Sequence, residues 1–352
     1  MTVVDLRLES LTRWILEDLG HSVLRVDVAS ADASFRRYFR AYLAGGETRV
    51  VMDAPPDKED IGPYLRVARL LEGTGVHVPR VHAVDTVQGF VLLEDLGSTP
   101  YLAPLQRGEQ VDRLYGEALQ ALCAIQVRGR EAARELPPYD AAVLLREMAL
   151  LPEWFCGRHL GLALGVEDEA VLREAFDRLV AESLAQPVVF VHRDYHSRNL
   201  MVLPEGGPGV IDFQDALAGP VGYDLVSLLK DCYISWPRAR VESWVRQHRQ
   251  LLRQQGFHAG AGSSEREFLR WFDMAGVQRH LKVLGIFARL WWRDGKIGYL
   301  ADLPLTLDYV LDTCARYPEL APLRRWLATQ AAPRLAAANA AARAVAPSGI
   351  RS

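Results

Sequence analysis

Along the first hundred residues, apolar positions follow the periods of short strands and helices. Leucine and isoleucine recur at helical spacing over residues 6–19, and Gly20 ends that pattern. A second helical pattern covers residues 61–71 and stops at Gly73. Alternating or apolar runs bounded by turn residues predict five strands, over residues 22–28, 35–43, 48–53, 80–85 and 90–94. The order of three strands, a helix and two strands predicts a small α/β lobe.

After Gly97 the pattern becomes mainly helical. Helices are predicted over residues 110–127, 140–151, 168–185, 222–234, 238–255, 264–290, 303–317 and 323–338. Two short apolar runs, 188–191 and 209–211, predict buried strands, and the alanine-rich stretch 331–346 is expected to fray. We therefore predict an α+β fold in two parts. A strand-rich N-lobe covers residues 1–96, and a larger helical C-lobe covers residues 97–352.

Composition narrows the class of protein. The chain has 352 residues, of which 49% are hydrophobic and 24% charged, as in ordinary soluble domains. Its net charge of -3 gives no argument for binding nucleic acid or an anionic membrane. Charges at Asp5, Arg7 and Glu9 do not fit a signal peptide, and no apolar run reaches the roughly 18 residues that span a bilayer. We expect a cytoplasmic monomer without nucleic-acid or membrane partners.

Candidate chemistry is concentrated between residues 188 and 213. A buried apolar strand leads into Asp194, Asn199 follows five residues later, and a second short strand presents Asp212. One carboxylate can orient an attacking hydroxyl and two oxygen donors can hold magnesium, which is the set that phosphoryl transfer from a nucleotide needs. A single aspartate here would more often cap a turn, but the joint spacing favours catalysis. We predict a small-molecule kinase that uses ATP and Mg²⁺, with Asp194 catalytic and Asn199 and Asp212 as metal ligands.

Two neighbours of this set are predicted to have supporting roles. His192 follows an apolar strand, and a histidine there is more often a buried structural residue than an acid or base. We expect it to brace the loop backbone. Asp224 stands at the start of a helix, where it either holds the same loop through its amides or caps its own helix. Neither residue is predicted to be catalytic.

A family resemblance rests on this motif. The two segments read His192-Arg193-Asp194-Tyr195-His196-Ser197-Arg198-Asn199 and Ile211-Asp212-Phe213. With the order of the lobes, they resemble the aminoglycoside phosphotransferase and choline kinase superfamily, relatives of the protein kinases. The resemblance implies a protein-kinase-like two-lobed fold, whose N-lobe has a five-stranded antiparallel sheet and one helix. It also implies that Asp194 is the base, and that the backbone from Glu94 to Leu96 is a hinge that meets adenine.

Four further segments resemble one branch of that superfamily more closely. They read Ala33-Ser34-Phe35-Arg36-Arg37-Tyr38-Phe39-Arg40, Met52-Asp53-Ala54-Pro55-Pro56, Leu92-Leu93-Glu94-Asp95-Leu96-Gly97 and Phe213-Gln214-Asp215-Ala216. That branch comprises bacterial kinases of the anomeric hydroxyl of N-acetylmuramate and N-acetylglucosamine, which act in peptidoglycan recycling. The resemblance therefore implies an amino sugar kinase with a small-molecule sugar substrate.

The nucleotide side departs from the protein-kinase pattern in two places. The loop before the second strand has no glycine, and there the Ser34 hydroxyl is the candidate donor to a phosphate oxygen, unless the loop is only a polar turn. Of Arg36 and Arg37, one should face the nucleotide if the strand alternates, and the sequence leaves open which. The third strand carries no lysine, so its role passes to Arg49, to an arginine of a neighbouring strand or to Lys58.

Candidates for the acceptor side combine aromatic and polar side chains, as sugar sites do. They are Glu147, Trp154, Arg289, Gln214 and Asp215. Residues 318–352 hold one acid against five arginines, which argues against a polycationic aminoglycoside as acceptor. Two alternatives stay open. One is an aminoglycoside or other small-molecule hydroxyl phosphotransferase, and the other is a nucleotide-binding pseudokinase that scaffolds a partner.

Overall fold

The computed structural model describes residues 5–31, 35–257 and 263–345. Its largest sheet has five antiparallel strands in the order β1-β2-β3-β5-β4. The strands are β1 (Val23–Ala31), β2 (Arg37–Leu43), β3 (Thr48–Asp53), β4 (Val81–Asp85) and β5 (Phe90–Glu94). The prediction of an α+β fold with five antiparallel strands is confirmed.

A helix covers each face of this sheet. Side chains alternate along a strand, so the neighbours Val51 and Met52 of β3 point to opposite faces. Val51 shares a core with α1 (Leu6–Arg13), and Met52 shares the other core with α2 (Gly62–Glu72). The N-lobe therefore has two helices rather than the single one implied by the resemblance. The reason is that both faces of its central strands are apolar and need cover.

The connection to the second lobe begins at the end of β5. The Asp95 carboxylate accepts two hydrogen bonds from the Arg40 guanidinium of β2, at 2.6 and 3.0 Å. Six residues on, the Tyr101 N–H donates to the Leu200 carbonyl at 2.7 Å. Two small antiparallel pairs frame the loops that follow: β6 (Val188–Val191) with β9 (Leu217–Pro220), and β7 (Leu200–Val202) with β8 (Pro208–Val210).

The rest of the described chain is mainly helical. The α-helices are α3 (Leu102–Gln106), α4 (Val111–Arg128), α5 (Ala141–Met148), α6 (Val166–Leu184), α7 (Gly222–Leu229), α8 (Arg238–Gln254), Glu265–Asp294, Leu303–Cys314, Ala321–Trp326 and Ala332–Val345. π-Helical segments are Trp14–Asp18, Leu151–His159 and Leu327–Ala331, and 3₁₀ segments are Ala132–Glu135, Ile297–Asp302 and Pro318–Leu320. In the described residues, no helix is both long and apolar enough to cross a membrane.

Two helix predictions differ from the structure. The helix predicted over 222–234 ends at Leu229, and Asp231 just beyond it accepts a hydrogen bond from the Ser197 N–H at 3.0 Å. The alanine-rich stretch expected to fray is helical to Val345, because Leu335 and Ala342 are buried against the lobe. In both cases tertiary contacts decide the outcome over local composition.

The long helix Glu265–Asp294 is the central element of the helical lobe. It has 30 residues and is therefore about 45 Å long. The Ser264 hydroxyl caps its first turn by accepting from the Glu267 N–H at 3.1 Å. A Cβ at Gly285 would lie 2.4 Å from the carbonyl carbon of Leu150. Glycine therefore allows the chain after α5 to cross the helix closely, which brings the middle of the helix beneath the loop that follows β6.

Candidate active site

The loop after β6 is held by one buried carboxylate. Asp224, in the first turn of α7, accepts hydrogen bonds from the backbone N–H groups of His192 at 2.6 Å and of Arg193 at 3.0 Å. Of the two roles left open for Asp224, the geometry supports holding the loop. Arg193 has a φ of 76° and Asp212 a φ of 65°, a left-handed conformation that costs about 1–3 kcal/mol for such residues. The loop contacts therefore maintain two strained residues beside Asp194.

His192 joins the loop to the strand that carries Asp212. Its Nδ1 accepts from the Asp194 N–H at 3.2 Å, and its Nε2 lies 3.1 Å from the Ile211 carbonyl oxygen. Burial lowers the pKa of His192 to about 4, so the ring is neutral near pH 7 with its proton on Nε2. These two contacts connect the loop to the residue before Asp212.

Asn199 and Asp212 lie side by side beneath Asp194. The Asn199 side-chain amide donates to the Asp194 carbonyl at 3.0 Å and to Asp212 Oδ2 at 3.1 Å. These bonds use its nitrogen and leave the amide oxygen for another partner. Gln214 donates to Asp212 Oδ1 at 2.8 Å. One amide oxygen and one carboxylate fit magnesium, which binds few protein oxygens and keeps several waters. In the described residues, no group of three His, Cys, Asp or Glu side chains forms a denser metal site.

The Asp194 carboxylate is surrounded by positive charge. Burial alone would raise its pKa, but Lys282, Arg193 and Arg279 favour the charged form and hold the pKa below its ordinary value. Asp194 is therefore ionised at neutral pH. A carboxylate in that state can accept a hydrogen bond from a hydroxyl and align its lone pair.

Glu147, expected at the acceptor side, lies in a buried ion cluster under the loop. Its side chain is 6% exposed. Arg193 Nη2 and Lys282 Nζ contact one carboxylate oxygen at 2.5 and 2.9 Å, and the other oxygen accepts hydrogen bonds from Tyr139 and Gln278. Because both oxygens are occupied, we correct its role from substrate contact to counter-ion. Burial opposes its ionisation, but Lys282 and Arg193 outweigh burial and lower the pKa of Glu147 to about 2.

On the nucleotide side, the structure separates the two adjacent arginines. Arg37 pairs with Asp5 at 2.5 Å and with Asp53 at 2.6 Å. Asp53 is fully buried and also pairs with Arg7 of α1. The Arg37 guanidinium therefore fastens α1 to the sheet, which corrects its candidate role at the nucleotide. Ser34 lies outside the described residues.

Arg36 and Asp212 both act on the charge of the Tyr64 hydroxyl. Burial raises the pKa of Tyr64, with Asp212 adding to the rise and the positive charge of Arg36 opposing it, so these charges lie near the Tyr64 hydroxyl. The Tyr64 ring of α2 stacks on Phe213 with centroids 4.8 Å apart. Arg36 therefore remains the candidate of the pair for the nucleotide side.

The other candidates for the missing lysine are engaged elsewhere. Arg49 pairs with Glu47 at 2.7 Å. The Lys58 ammonium lies 5.1 Å from the centroid of the Phe35 ring, and Glu59 accepts from the Phe35 N–H at 3.1 Å. These contacts tie the start of β2 to the segment before α2.

The segment from Glu94 to Leu96 was expected to be the hinge that meets adenine. The Glu94 side chain is occupied by His77 at 2.9 Å and by the Arg80 N–H at 3.2 Å. Leu96 is buried, and its backbone N–H and carbonyl have no hydrogen-bond partner among the described residues. An unpaired backbone group beside a buried side chain is uncommon, so the Leu96 backbone remains the candidate for contact with adenine.

The remaining acceptor candidates lie in two places. Gln214 contacts Asp212, and Asp215 beside it is exposed while its carbonyl accepts from Arg193 at 3.3 Å. Trp154 is partly buried against the main core. Arg289 is half-buried, and burial together with nearby Arg293 lowers its pKa. The structure brings Gln214 and Asp215 to the catalytic loop and places Trp154 and Arg289 on neighbouring segments of the helical lobe.

The sequence analysis did not predict that Lys282 and Tyr64 lie at the candidate site. Lys282 stands between Leu281 and Val283 in an apolar stretch of the long helix, and a lysine in such a run signals a buried ion pair. Glu147 carried the same signal, since Met148 and Leu144 at helical spacing place it on a buried face. Tyr64 gave no signal beyond its place in an apolar helix.

Comparison with known proteins identifies the family. The model of the phosphotransferase enzyme family matches residues 26–272. An N-acetylmuramate/N-acetylglucosamine kinase of Pseudomonas aeruginosa is 50% identical over 301 residues, which are 86% of this chain and 87% of that protein. A protein of the same name from Pseudomonas putida is 44% identical over 335 residues, covering 92% of this chain and 96% of its own. The one from Neisseria meningitidis is 47% identical over 316 residues, covering 89% and 92%.

Solved structures agree on the fold. A choline kinase from Streptococcus pneumoniae aligns with a TM-score of 0.59 at 12% identity, over 87% of this chain and 99% of that one. An ADP-bound aminoglycoside phosphotransferase aligns with a TM-score of 0.56 at 14% identity, over 88% and 99%. At this identity the likeness concerns the fold alone. The two-lobed fold expected from the resemblance is confirmed, and so is the resemblance itself.

Proposed function

This chain belongs to the phosphotransferase enzyme family, and we propose that it transfers the γ-phosphate of ATP to the anomeric hydroxyl of N-acetylmuramate and N-acetylglucosamine. The observation that carries the proposal is the joint arrangement of Asp194, Asn199 and Asp212 in a chain 44–50% identical to kinases of these two sugars. The site supports the reaction type, and the relatives support the acceptor. Both sugars are components of peptidoglycan, so the proposed role is its recycling.

Asp194 acts as the base in the proposed reaction. It accepts the proton of the anomeric hydroxyl while the hydroxyl oxygen forms a bond to the γ-phosphorus. The bond from that phosphorus to the β–γ bridging oxygen breaks, and its electron pair leaves with ADP. Asn199 and Asp212 would hold Mg²⁺, which neutralises phosphate charge when bound. An anomeric hydroxyl is more acidic than an ordinary alcohol, so orientation of the acceptor is the main task of Asp194.

The two lobes divide the binding of substrates in this proposal. Residues 1–96 bind the nucleotide, with Arg36 near the phosphates and the Leu96 backbone at adenine. The charges of Arg36 and Asp212, which both act on the Tyr64 hydroxyl, and the unpaired backbone of Leu96 support these assignments. Residues 97–352 carry the catalytic loop and the acceptor site, where Gln214 and Asp215 adjoin Asp212.

The test is ADP release with a panel of acceptors. Wild-type protein is assayed with N-acetylmuramate, N-acetylglucosamine, kanamycin and choline, beside Asp194→Ala. We expect turnover with the two sugars and a loss of about 100-fold or more in Asp194→Ala, since a positioned base contributes at least that much. Asp177→Ala, which removes an exposed aspartate of α6, is the matched control and should keep its activity. Turnover with kanamycin or choline alone contradicts the acceptor, and an active Asp194→Ala contradicts the mechanism.

A further inference from the structure

An arginine lies on an aromatic cluster beside the catalytic loop. The guanidinium carbon of Arg198 is 3.5 Å from the centroid of the Tyr233 ring and 5.9 Å from that of Tyr299. Phe287 of the long helix links the two rings, with centroids 6.3 Å from Tyr233 and 5.2 Å from Tyr299. Three chain segments therefore converge to hold one cation. We call this group of four side chains the Arg198 cluster.

The Arg198 cluster adjoins the reacting groups. Arg198 directly precedes Asn199 in the chain. The His196 ring meets the Tyr233 ring edge to face at 5.6 Å. His196 is 9% exposed, and its Nδ1 has no partner among the described residues. Asp194 and Arg198 both act on the charge of His196, whose pKa burial lowers. His196 therefore links the two groups, because its ring meets Tyr233 and its backbone N–H donates to the Asp194 carbonyl at 3.0 Å.

The Arg198 guanidinium has its donors available. Within the described residues it forms no hydrogen bond and no ion pair, in contrast to Arg193, which pairs with Glu147. Burial raises the pKa of nearby Asp302 to about 6, and the charge of Arg198 opposes this rise without an ion pair between the two. A guanidinium that lies over a ring, as that of Arg198 lies over Tyr233 at 3.5 Å, can still donate from its N–H groups to a carboxylate. The Arg198 guanidinium can therefore bind both oxygens of a planar anion beside the aromatic rings.

The two proposed acceptor sugars differ by one negatively charged substituent. N-Acetylmuramate is N-acetylglucosamine with a lactyl ether on O3, and that ether carries a carboxylate. We propose that the Arg198 cluster is the subsite for this carboxylate, with Arg198 binding its two oxygens and the Tyr299 ring contacting the sugar face. This inference rests on the proposed function and adds a residue that distinguishes the acidic sugar from the neutral one.

The experiment measures the ratio of kcat/KM for N-acetylmuramate to kcat/KM for N-acetylglucosamine. It is measured in wild type, Arg198→Gln and Arg198→Lys. Loss of a bidentate hydrogen bond to a charged group should lower the ratio by about 10-fold or more in Arg198→Gln. Arg198→Lys keeps the charge without the fork and should give an intermediate ratio. Arg25→Gln is the matched control, because Arg25 is an exposed arginine over the Tyr42 ring at 4.1 Å on β1. Its ratio should equal that of wild type.

The outcomes separate the two proposals. A wild-type enzyme that phosphorylates neither sugar overturns the proposed function and this inference with it. A wild type active on both sugars, with the same ratio in Arg198→Gln and Arg198→Lys, overturns the inference alone. If Arg198→Gln loses both activities, the ratio in Arg198→Lys decides: a fall supports the subsite, and an unchanged ratio overturns it.

Discussion

Replacing Glu147 by glutamine tests whether the ion cluster under the catalytic loop supports the reaction. The substitution keeps the shape of the side chain and removes its charge. Arg193 and Lys282 then face each other as buried cations, with no acid between them. Removing one partner of a buried ion pair typically costs about 3–5 kcal/mol in the free energy of unfolding.

A second route gives a similar magnitude. The pKa of Glu147 is about 2, against an ordinary value of 4.5. Burial opposes its ionisation, so the lowering comes from Lys282 and Arg193. A lowering of the pKa from 4.5 to about 2 corresponds to about 3 kcal/mol of stability. For a carboxylate with a lowered pKa, that stability is present above the ordinary value and disappears as pH falls towards the folded value. The free energies of unfolding of wild type and Glu147→Gln should therefore differ most above pH 4.5 and converge at lower pH.

The reaction should suffer as well, because the same cluster anchors the strained backbone of Arg193 just before Asp194. A displacement of Asp194 by about 1 Å lowers kcat by about 100-fold. The assay combines urea unfolding across pH with kcat and KM for ATP. We expect lower stability and lower kcat in Glu147→Gln, with KM for ATP little changed.

The matched control is Glu182→Gln. Glu182 of α6 also pairs with an arginine of the long helix, Arg270, but its side chain is 21% exposed. A partly exposed pair of this kind contributes about 0–1 kcal/mol. A Glu147→Gln protein that loses no more stability than Glu182→Gln and keeps wild-type kcat would refute the role given to the cluster.

The remaining predictions concern the nucleotide side and acid stability. Arg36→Ala should raise KM for ATP by about 10-fold, the effect of losing one hydrogen bond to a charged group. Arg37→Ala should instead lower the free energy of unfolding by about 1–3 kcal/mol, because buried Asp53 loses a partner. The assignment is contradicted if ATP titrations show a raised KM only in Arg37→Ala and urea unfolding shows lower stability only in Arg36→Ala. Burial lowers the pKa of His248 to about 3, so stability present above its ordinary value near 6.5 should fall by several kcal/mol as pH drops towards 3. His248→Gln should flatten that loss in pH-dependent unfolding, and an unchanged slope contradicts this cause.

The part of the site that sequence predicts best is local in the chain. Asn199 lies five residues after Asp194, and Asp212 ends the next strand but one, so short connections leave few ways to arrange them. The structure places the Asn199 amide within 3.1 Å of both neighbours. An apolar strand before a histidine also predicts burial of the histidine, and His192 is fully buried, with hydrogen bonds to Asp194 and Ile211.

Contacts between distant segments could not be predicted. Glu147 and Lys282 meet from separate helices, and only the packing of the long helix at Gly285 brings them under the loop. The choice between Arg36 and Arg37 was left open for a related reason. Both faces of the sheet are covered by helices, so the pattern of apolar residues does not tell which face meets the nucleotide.

The most direct test of the central claim is the ³¹P NMR spectrum of the product formed from ATP and N-acetylmuramate. Transfer to the anomeric hydroxyl, directed by Asp194, predicts a phosphorus doublet from coupling to the anomeric proton. The same signal should be absent when Asp194→Ala replaces the wild type at equal concentration. A phosphorus signal coupled to protons of another carbon, or an unchanged doublet with Asp194→Ala, would contradict the account.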